Sequence, residues 1–446
     1  MKQSKHNIYY SPKEVRTILE RSIDTALDGL KGYCNDPVSD FTRCRKLPAR
    51  TLIECIMSFS NYSSIGELSH FFAGQGEMPS ASALSQRRQL LDPDIFKRIN
   101  NLFLSAFDDH TTINGYHILA QDGSDVNIPF MDDKTKTEKH DAKSFCQYHV
   151  NALYDCLNKV FYDWSIDAAS KKREVNALIS ILKDRNYPQN SIFTADRGYE
   201  SYNLMAHFIE NDIKFVIRVK DIHTRSGLMT NIKTEEGTFD MRVNRTLTSL
   251  QTKEIKAGKE KYIFVPTTSN FDFLDENRDF YDLSFRAVRF KISEDTYETV
   301  VTNLSEEEFK TEDFKELYHY RWNEETAFNK LKYTIGLVYF HARKRKLIQQ
   351  EINAAFLMYL SLIHNVSEVI IRNIDLKKNK KPELEYDYKP NFSSAVTNIR
   401  LYLRKKINMK ELILRIKKFL VAQRPERSFE RNIKGQSCKP LNYRTS

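Results

Sequence analysis

The chain has 446 residues, 41% of them hydrophobic and 12% aromatic, which is enough to bury more than one core and excludes disorder over most of its length. Lys and Arg number 69 against 59 Asp and Glu, a formal charge of +10 that suits a polyanionic partner without identifying one. Thirteen basic and three acidic residues lie between Leu401 and Ser446, so this segment carries the whole surplus and the first 400 residues balance.

In chain order, Ser11-Pro12-Lys13-Glu14 supplies an N-cap, a proline at the first helical position and a reciprocal glutamate. Val15, Ile18 and Leu19 follow at helical spacing, so a helix begins here. Further helical patterns at about 49–60, 65–72 and 93–107 make residues 1–112 an N-terminal helical domain. From Tyr116 the segments HILAQDGSDVNIP, QYHVNALYDC and KVFYDWSID read as three strands of a meander. A helix over 171–183, a strand over 191–196, a helix over 201–209 and a strand over 215–220 complete the first part of a mixed α/β domain, residues 113–220.

Short alternating runs between 221 and 295 predict a β-rich insertion that interrupts this domain. The α/β pattern resumes over 296–345 with the strand YETVVTNL, a capping box at Ser305 and Glu308, and helical sequence to about Tyr333. Residues 346–446 read as a helical, basic C-terminal region: a long apolar helix over 346–371, a solvated Lys377–Lys381 patch, and a charged tail in which Leu401, Ile407, Leu412, Leu414 and Phe419 favour folded helix. The six cysteines contain no Cys-x-x-Cys pair, the start lacks a signal-like apolar core, and the most apolar run, Ala354–Ile363, falls short of the ~20 residues that span a bilayer. A cytoplasmic protein with reduced thiols and no membrane partner is expected.

Three segments could carry chemistry. In YHYRWNEETAFNKLK, Tyr318, Arg321, Glu325 and Lys332 fall within an arc of about 60° on a continuous helix, beside an apolar stripe of Leu317, Phe328, Leu331 and Ile335. Such a face is ordinarily solvated, with Arg321 and Glu325 as an i,i+4 ion pair. Gln121-Asp122-Gly123-Ser124 and Ala195-Asp196-Arg197-Gly198-Tyr199 each put an Asp at a predicted strand end beside a Gly that permits a sharp reversal. Three converging carboxylates would repel one another unless cations lay between them, whereas two divalent ions about 3.5–4 Å apart need such shared hard oxygens. His149, His319 and His341 show no ligand spacing and read as satisfying local hydrogen bonds.

On these residues the chain resembles the DDE transposases of bacterial insertion sequences, with a ribonuclease H-like catalytic domain, in the subgroup marked by Tyr-x2-Arg-x3-Glu-x6-Lys. Tyr318, Arg321, Glu325 and Lys332 meet that spacing without departure; DGS at Asp122 and DRGY at Asp196 resemble the first two acidic motifs. Thr302-Asn303-Leu304 and RPERSFER (Arg424–Arg431) are weaker likenesses. The resemblance covers about residues 40–435. It implies an α/β fold, a ribonuclease H-like mixed sheet with a β-rich insertion, flanked by N- and C-terminal helical regions.

The resemblance also implies that Asp122, Asp196 and Glu325 bind two Mg²⁺ ions, with Mn²⁺ able to substitute, and that Tyr318, Arg321 and Lys332 grip the phosphates of the transposon end. The implied partners are double-stranded DNA, as element ends and target, with residues 1–112 as a candidate DNA-end-binding domain and Arg87 and Arg88 as a weaker DNA-contact pair, and a second copy of the chain in a synaptic homodimer, placed at the bacterial nucleoid. A hairpin route to cleavage would need an aromatic in the insertion to stack on a flipped base; Tyr262, Phe264, Phe271 and Phe273 are the candidates, with Trp164 and Trp322 read as packing residues. The alternatives are a non-catalytic DNA-binding protein derived from such an element and a related metal-dependent nuclease.

Overall fold

The structure is a computed structural model and describes all residues except 5–9, 44–45, 75, 108–109, 130–135, 138–144, 170–173, 223, 225, 267, 270, 295, 367–386 and 424–446. The Lys377–Lys381 patch, RPERSFER, Cys44 and Cys438 lie outside the described residues. The other four cysteines are free thiols. Among the described residues no helix is long and apolar enough to cross a membrane.

Five helices come first: α1 (Pro12–Asp28), α2 (Ala49–Met57), α3 (Ser64–Phe72), α4 (Ala81–Leu90) and α5 (Asp94–Leu104). The predicted capping box opens α1, with the Glu14 N–H donating to Ser11 Oγ and the Ser11 N–H donating to Glu14 Oε2. Three antiparallel strands follow: β1 (His117–Ile128), β2 (Phe145–Asp155) and β3 (Val160–Ala168). Then α6 (Glu174–Asp184), β4 (Ser191–Ala195), α7 (Tyr202–Glu210) and β5 (Lys214–Val219) build two parallel additions, β4 beside β1 and β5 beside β4. This is the expected mixed α/β sheet, antiparallel in its first three strands and parallel in the next two.

The insertion supplies β6 (Phe239–Thr248), β7 (Tyr262–Phe264) and β8 (Phe280–Ser293), and β9 (Thr296–Thr302) returns the chain to the domain. These strands extend the central sheet instead of forming a layer of their own, in the order β7-β6-β8-β9-β5-β4-β1-β2-β3. Asn303 fixes the join, accepting from the Phe215 N–H and donating to the Ile213 carbonyl at the start of β5.

The sheet separates two cores because alternate residues face opposite sides. Leu119, Phe193, Phe215 and Ile217 point to one, with α6, α7 and the N-terminal helices. Ile118, Ala120, Ile192 and Val216 point to the other, shared with α8 (Asp313–His319) and α9 (Trp322–Asn329). The long helix α10 (Arg345–Val366) contributes Ala354, Leu357 and Leu360 to the first core and Ile352, Phe356 and Tyr359 to the second, which explains why it is apolar on most sides. Helices α11 (Phe392–Leu403) and α12 (Met409–Lys418) follow.

Candidate active site

Asp122 and Asp196 come together through strand register. The parallel pairing of β1 with β4 ends at Gln121 opposite Ala195, so the next residue on each strand is a carboxylate, on backbones about 4.8 Å apart. The first strand does not stop at Asp122 as the sequence suggested. It runs to Ile128 because its antiparallel partner β2 continues, and Gly123 pairs with Asn151 in mid-strand. Neither Gly123 nor Gly198 has a positive φ, so neither is required for a left-handed backbone conformation, although Gly198 does lie in the tight turn Arg197–Tyr199 after β4.

What these glycines provide is room. A Cβ on Gly123 would lie 2.2 Å from His149 Nε2 and 2.9 Å from Glu174 Oε1; one on Gly198 would lie 3.0 Å from Asp196 Oδ1 and 3.3 Å from Glu174 Oε2. The motif carboxylates are held by local donors, Asp122 Oδ1 by the Gly123 N–H at 2.8 Å and Asp196 Oδ1 by the Gly198 N–H at 2.7 Å.

The third carboxylate arrives on α9, which packs on β1. Helical sequence from Asp313 to Ile335 is broken into α8, α9 and a π-helical turn, Lys330–Ile335, which closes at Gly336 with φ +115°. Arg321 sits at the junction of α8 and α9, with Nη1 3.8 Å from Asp122 Oδ2 and Nη2 3.6 Å from Glu325 Oε1. Its guanidinium therefore lies between the first and third acidic residues. Tyr318 and Lys332 are buried beside them, at 1% and 8% exposure, so the polar row lies inside the rim of the core and not on its surface. The Tyr318 ring lies 5.6 Å from the Arg321 guanidinium carbon, and its hydroxyl is buried.

Burial pushes Asp122 up to about 6; the Gly123 N–H and Arg321 oppose the shift, while Asp196 and Glu174 add to it. Burial pulls Lys332 down against the attraction of Asp125 and Asp122. Burial also works against the charge of Arg321, but Tyr318, Asp122, Asp196 and Glu324 outweigh it and the net shift is upward.

Two carboxylates here escaped the sequence reading. Glu324 is fully buried, and burial first, then Asp122, raises it well above the usual carboxylate range against the pull of Arg321. The signal for it was available, since six residues after Tyr318 a helical position falls at about 240°, inside the apolar stripe. Glu174, the first residue of α6, reaches the site across the sheet and has no such signal. His149, read as a local hydrogen bonder, binds Asp125 Oδ1 through Nδ1 at 2.6 Å and stands 3.2 Å from Glu174 Oε1 through Nε2.

Other expectations need correction. Arg88 is 2% exposed and bound to Glu351, Gln350 and the Leu347 carbonyl, so it is part of the core and not a DNA contact. Arg87 donates to the Leu47 carbonyl. Trp322 is 41% exposed, unlike the buried Trp164, because it lies on the outer side of α9. Of the insertion aromatics, Phe264 is exposed, whereas Phe271 and Phe273 pack on Tyr281.

Among the described residues no three His, Cys, Asp or Glu side chains are grouped closely enough to hold a metal ion. In kind the donors fit a hard divalent cation: carboxylate oxygens from Asp122, Asp196 and Glu325, with a guanidinium already drawn between two of them.

The family model described as the transposase DDE domain matches residues 113–361, a span that includes Asp122, Asp196 and Glu325. Among solved structures, the chain is similar to a piggyBac transposase in a synaptic complex with hairpin DNA, at 11% identity and a TM-score of 0.44 over 96% of this chain and 90% of that one. No curated protein matches the sequence.

Proposed function

Because the chain belongs to the transposase DDE domain family, we propose that it is an insertion-sequence transposase that binds the terminal repeats of its element, cleaves DNA at the ends and joins the 3′ ends to target DNA. The observation that carries this reading is the register of Asp122 with Asp196 at the end of the β1–β4 pairing, with Arg321 spanning Asp122 and Glu325. Asp122, Asp196 and Glu325 would be the residues to hold two Mg²⁺ ions, or Mn²⁺ in their place. Bound there, divalent ions would supply positive charge to the attacking and leaving oxygens of an in-line phosphoryl transfer.

The protein's own residues do the rest. Arg321 keeps the Asp122 and Glu325 carboxylates apart and oriented, and Tyr318 backs its guanidinium. Lys332, with Asp125 and Asp122 as its charged neighbours, offers an ammonium to a backbone phosphate entering the site. Two copies acting on paired ends would make the working assembly a synaptic homodimer.

The test is a denaturing-gel cleavage assay on DNA carrying both of the gene's own flanking ends, with Mg²⁺. Asp122→Ala, Asp196→Asn and Glu325→Ala are each expected to abolish cuts at the element boundary while leaving end binding nearly intact. Cutting retained by one variant would remove that residue from the site. Binding without cutting by the unmodified protein would favour a non-catalytic derivative, and cutting without joining a nuclease.

A further inference from the structure

The two acidic motifs share a neighbour that belongs to neither. Glu174 opens α6 and turns one carboxylate oxygen toward Gly123 and the other toward Gly198, the glycines that accompany Asp122 and Asp196. Its position is set from the far side. His149 on β2 lies opposite Asp125 in register, is wholly buried, and its ring folds back over Gly123 so that Nε2 meets Glu174 Oε1 while Nδ1 meets Asp125. Asp125, His149 and Glu174 thus form a chain of contacts from β1 through β2 to α6, and it ends between the two carboxylate-bearing backbones.

Any side chain on Gly123 would occupy the space of the imidazole, and any on Gly198 would crowd both Asp196 and Glu174. The glycines of DGS and DRGY are therefore accounted for by one object, the Glu174 carboxylate and the ring that holds it. A packing contact alone would not need a charged group here, since a fourth carboxylate beside Asp122 and Asp196 adds repulsion.

We propose that Glu174, held by His149, is a positioning residue that fixes the separation of Asp122 and Asp196 and so prepares them to bind divalent cations. The inference rests on the reading of Asp122 and Asp196 as metal-binding residues. It assigns Glu174 no contact with DNA and no step in the reaction.

Mn²⁺ binding to the full chain, followed by the electron paramagnetic resonance of the free ion, tests this without reference to cleavage. Glu174→Ala and Gly123→Ala are expected to weaken Mn²⁺ binding about tenfold or more, while the thermal melting of the metal-free Glu174→Ala protein stays close to that of the unmodified chain. Glu174→Gln, which keeps the shape and an oxygen for His149, is expected to retain most of the affinity. In the double variant Gly123→Ala with His149→Ala the clash with the imidazole is gone and only the movable end of Glu174, 2.9 Å from the new Cβ, has to shift, so melting recovers and Mn²⁺ affinity does not.

Unchanged Mn²⁺ affinity in Glu174→Ala would overturn the proposal, as would equal loss in Glu174→Gln and Glu174→Ala, which would point to charge in place of position. Recovery of affinity in the double variant would remove His149 as the holder. Should Gly123→Ala fold poorly, the two Glu174 variants decide alone. Asp196→Asn separates the two levels: if it too binds Mn²⁺ normally, the metal-site reading itself fails and the inference falls with it.

Discussion

A guanidinium between two carboxylates is directional in a way that an ammonium is not, because its planar fork presents separate N–H groups to each partner. Arg321 uses Nη1 toward Asp122 and Nη2 toward Glu325. Arg321→Lys keeps the charge and loses the fork, so it is expected to slow strand cleavage roughly tenfold or more, and Arg321→Ala further. Single-turnover cleavage of own-end DNA measures both; full rescue by lysine would reduce Arg321 to a bulk charge. The spacing of Tyr318, Arg321, Glu325 and Lys332 made these positions legible, since four residues on one helical segment leave a periodic trace. Glu174 and His149 left none. They meet only because β1 and β2 pair antiparallel and α6 crosses back over the sheet, a relation between distant segments that no local spacing records. The DGS and DRGY glycines were legible as special and misread in kind, because a reversal and a close approach both demand a missing Cβ.

Helices α3, α4 and α10 are joined by a buried charge cluster. Arg88 binds Glu351 at 2.7 Å, and His341 lies 3.1 Å from Glu351 and 3.4 Å from Glu67. Burial opposes the charge on His341, but Glu351 and then Glu67 outweigh it and push the ring up to about 9 from 6.5. A folded-state value above the unfolded one means that this stabilisation is complete below about pH 6.5 and disappears as pH rises through about 9, a change on the order of 3 kcal/mol. Urea denaturation at pH 6.5 and 9.5 reads it, and His341→Ala should flatten the difference. Glu351→Gln leaves two buried cations short of a partner and is expected to cost about 3–5 kcal/mol near neutral pH. At this scale the sequence showed the capping box of α1 and the β1–β3 meander, both of which are local patterns. It located the insertion by texture but not its place in the sheet, because alternation marks a strand and says nothing of which distant strand it will pair with. The break of the Glu325 helix into α9 and a π-helical turn was likewise hidden, since its side chains keep a helical pattern throughout.

Over the whole molecule, the charge surplus and the acidic cluster sit at opposite extremes of one electrostatic problem, since a site of several carboxylates repels the polyanion it would have to cut. The basic C-terminal segment offsets that repulsion only with those charges that are not spent internally. Arg404 donates to the Ser58 carbonyl, Lys405 pairs with Glu20 and Arg415 with Glu411, so a good part of the basic count between Leu401 and Gln423 serves the fold. Residues 424–446 hold six Lys and Arg and two Glu, a net charge of +4 in 23 residues. If this stretch supplies the phosphate contacts, each neutralised phosphate releases counterions, and its removal lowers the slope of log affinity against log salt by up to about 5. Truncation after Gln423 is therefore expected to weaken binding to own-end DNA strongly at low salt and less at high salt, as read by fluorescence anisotropy across a salt series. Mn²⁺ binding should be unchanged in the same protein, because Asp122, Asp196 and Glu325 lie on the sheet and α9. A slope equal to that of the full chain would instead put the DNA-attracting charge on the folded surface, with Lys410 and Lys418 of α12 as the exposed residues to substitute next.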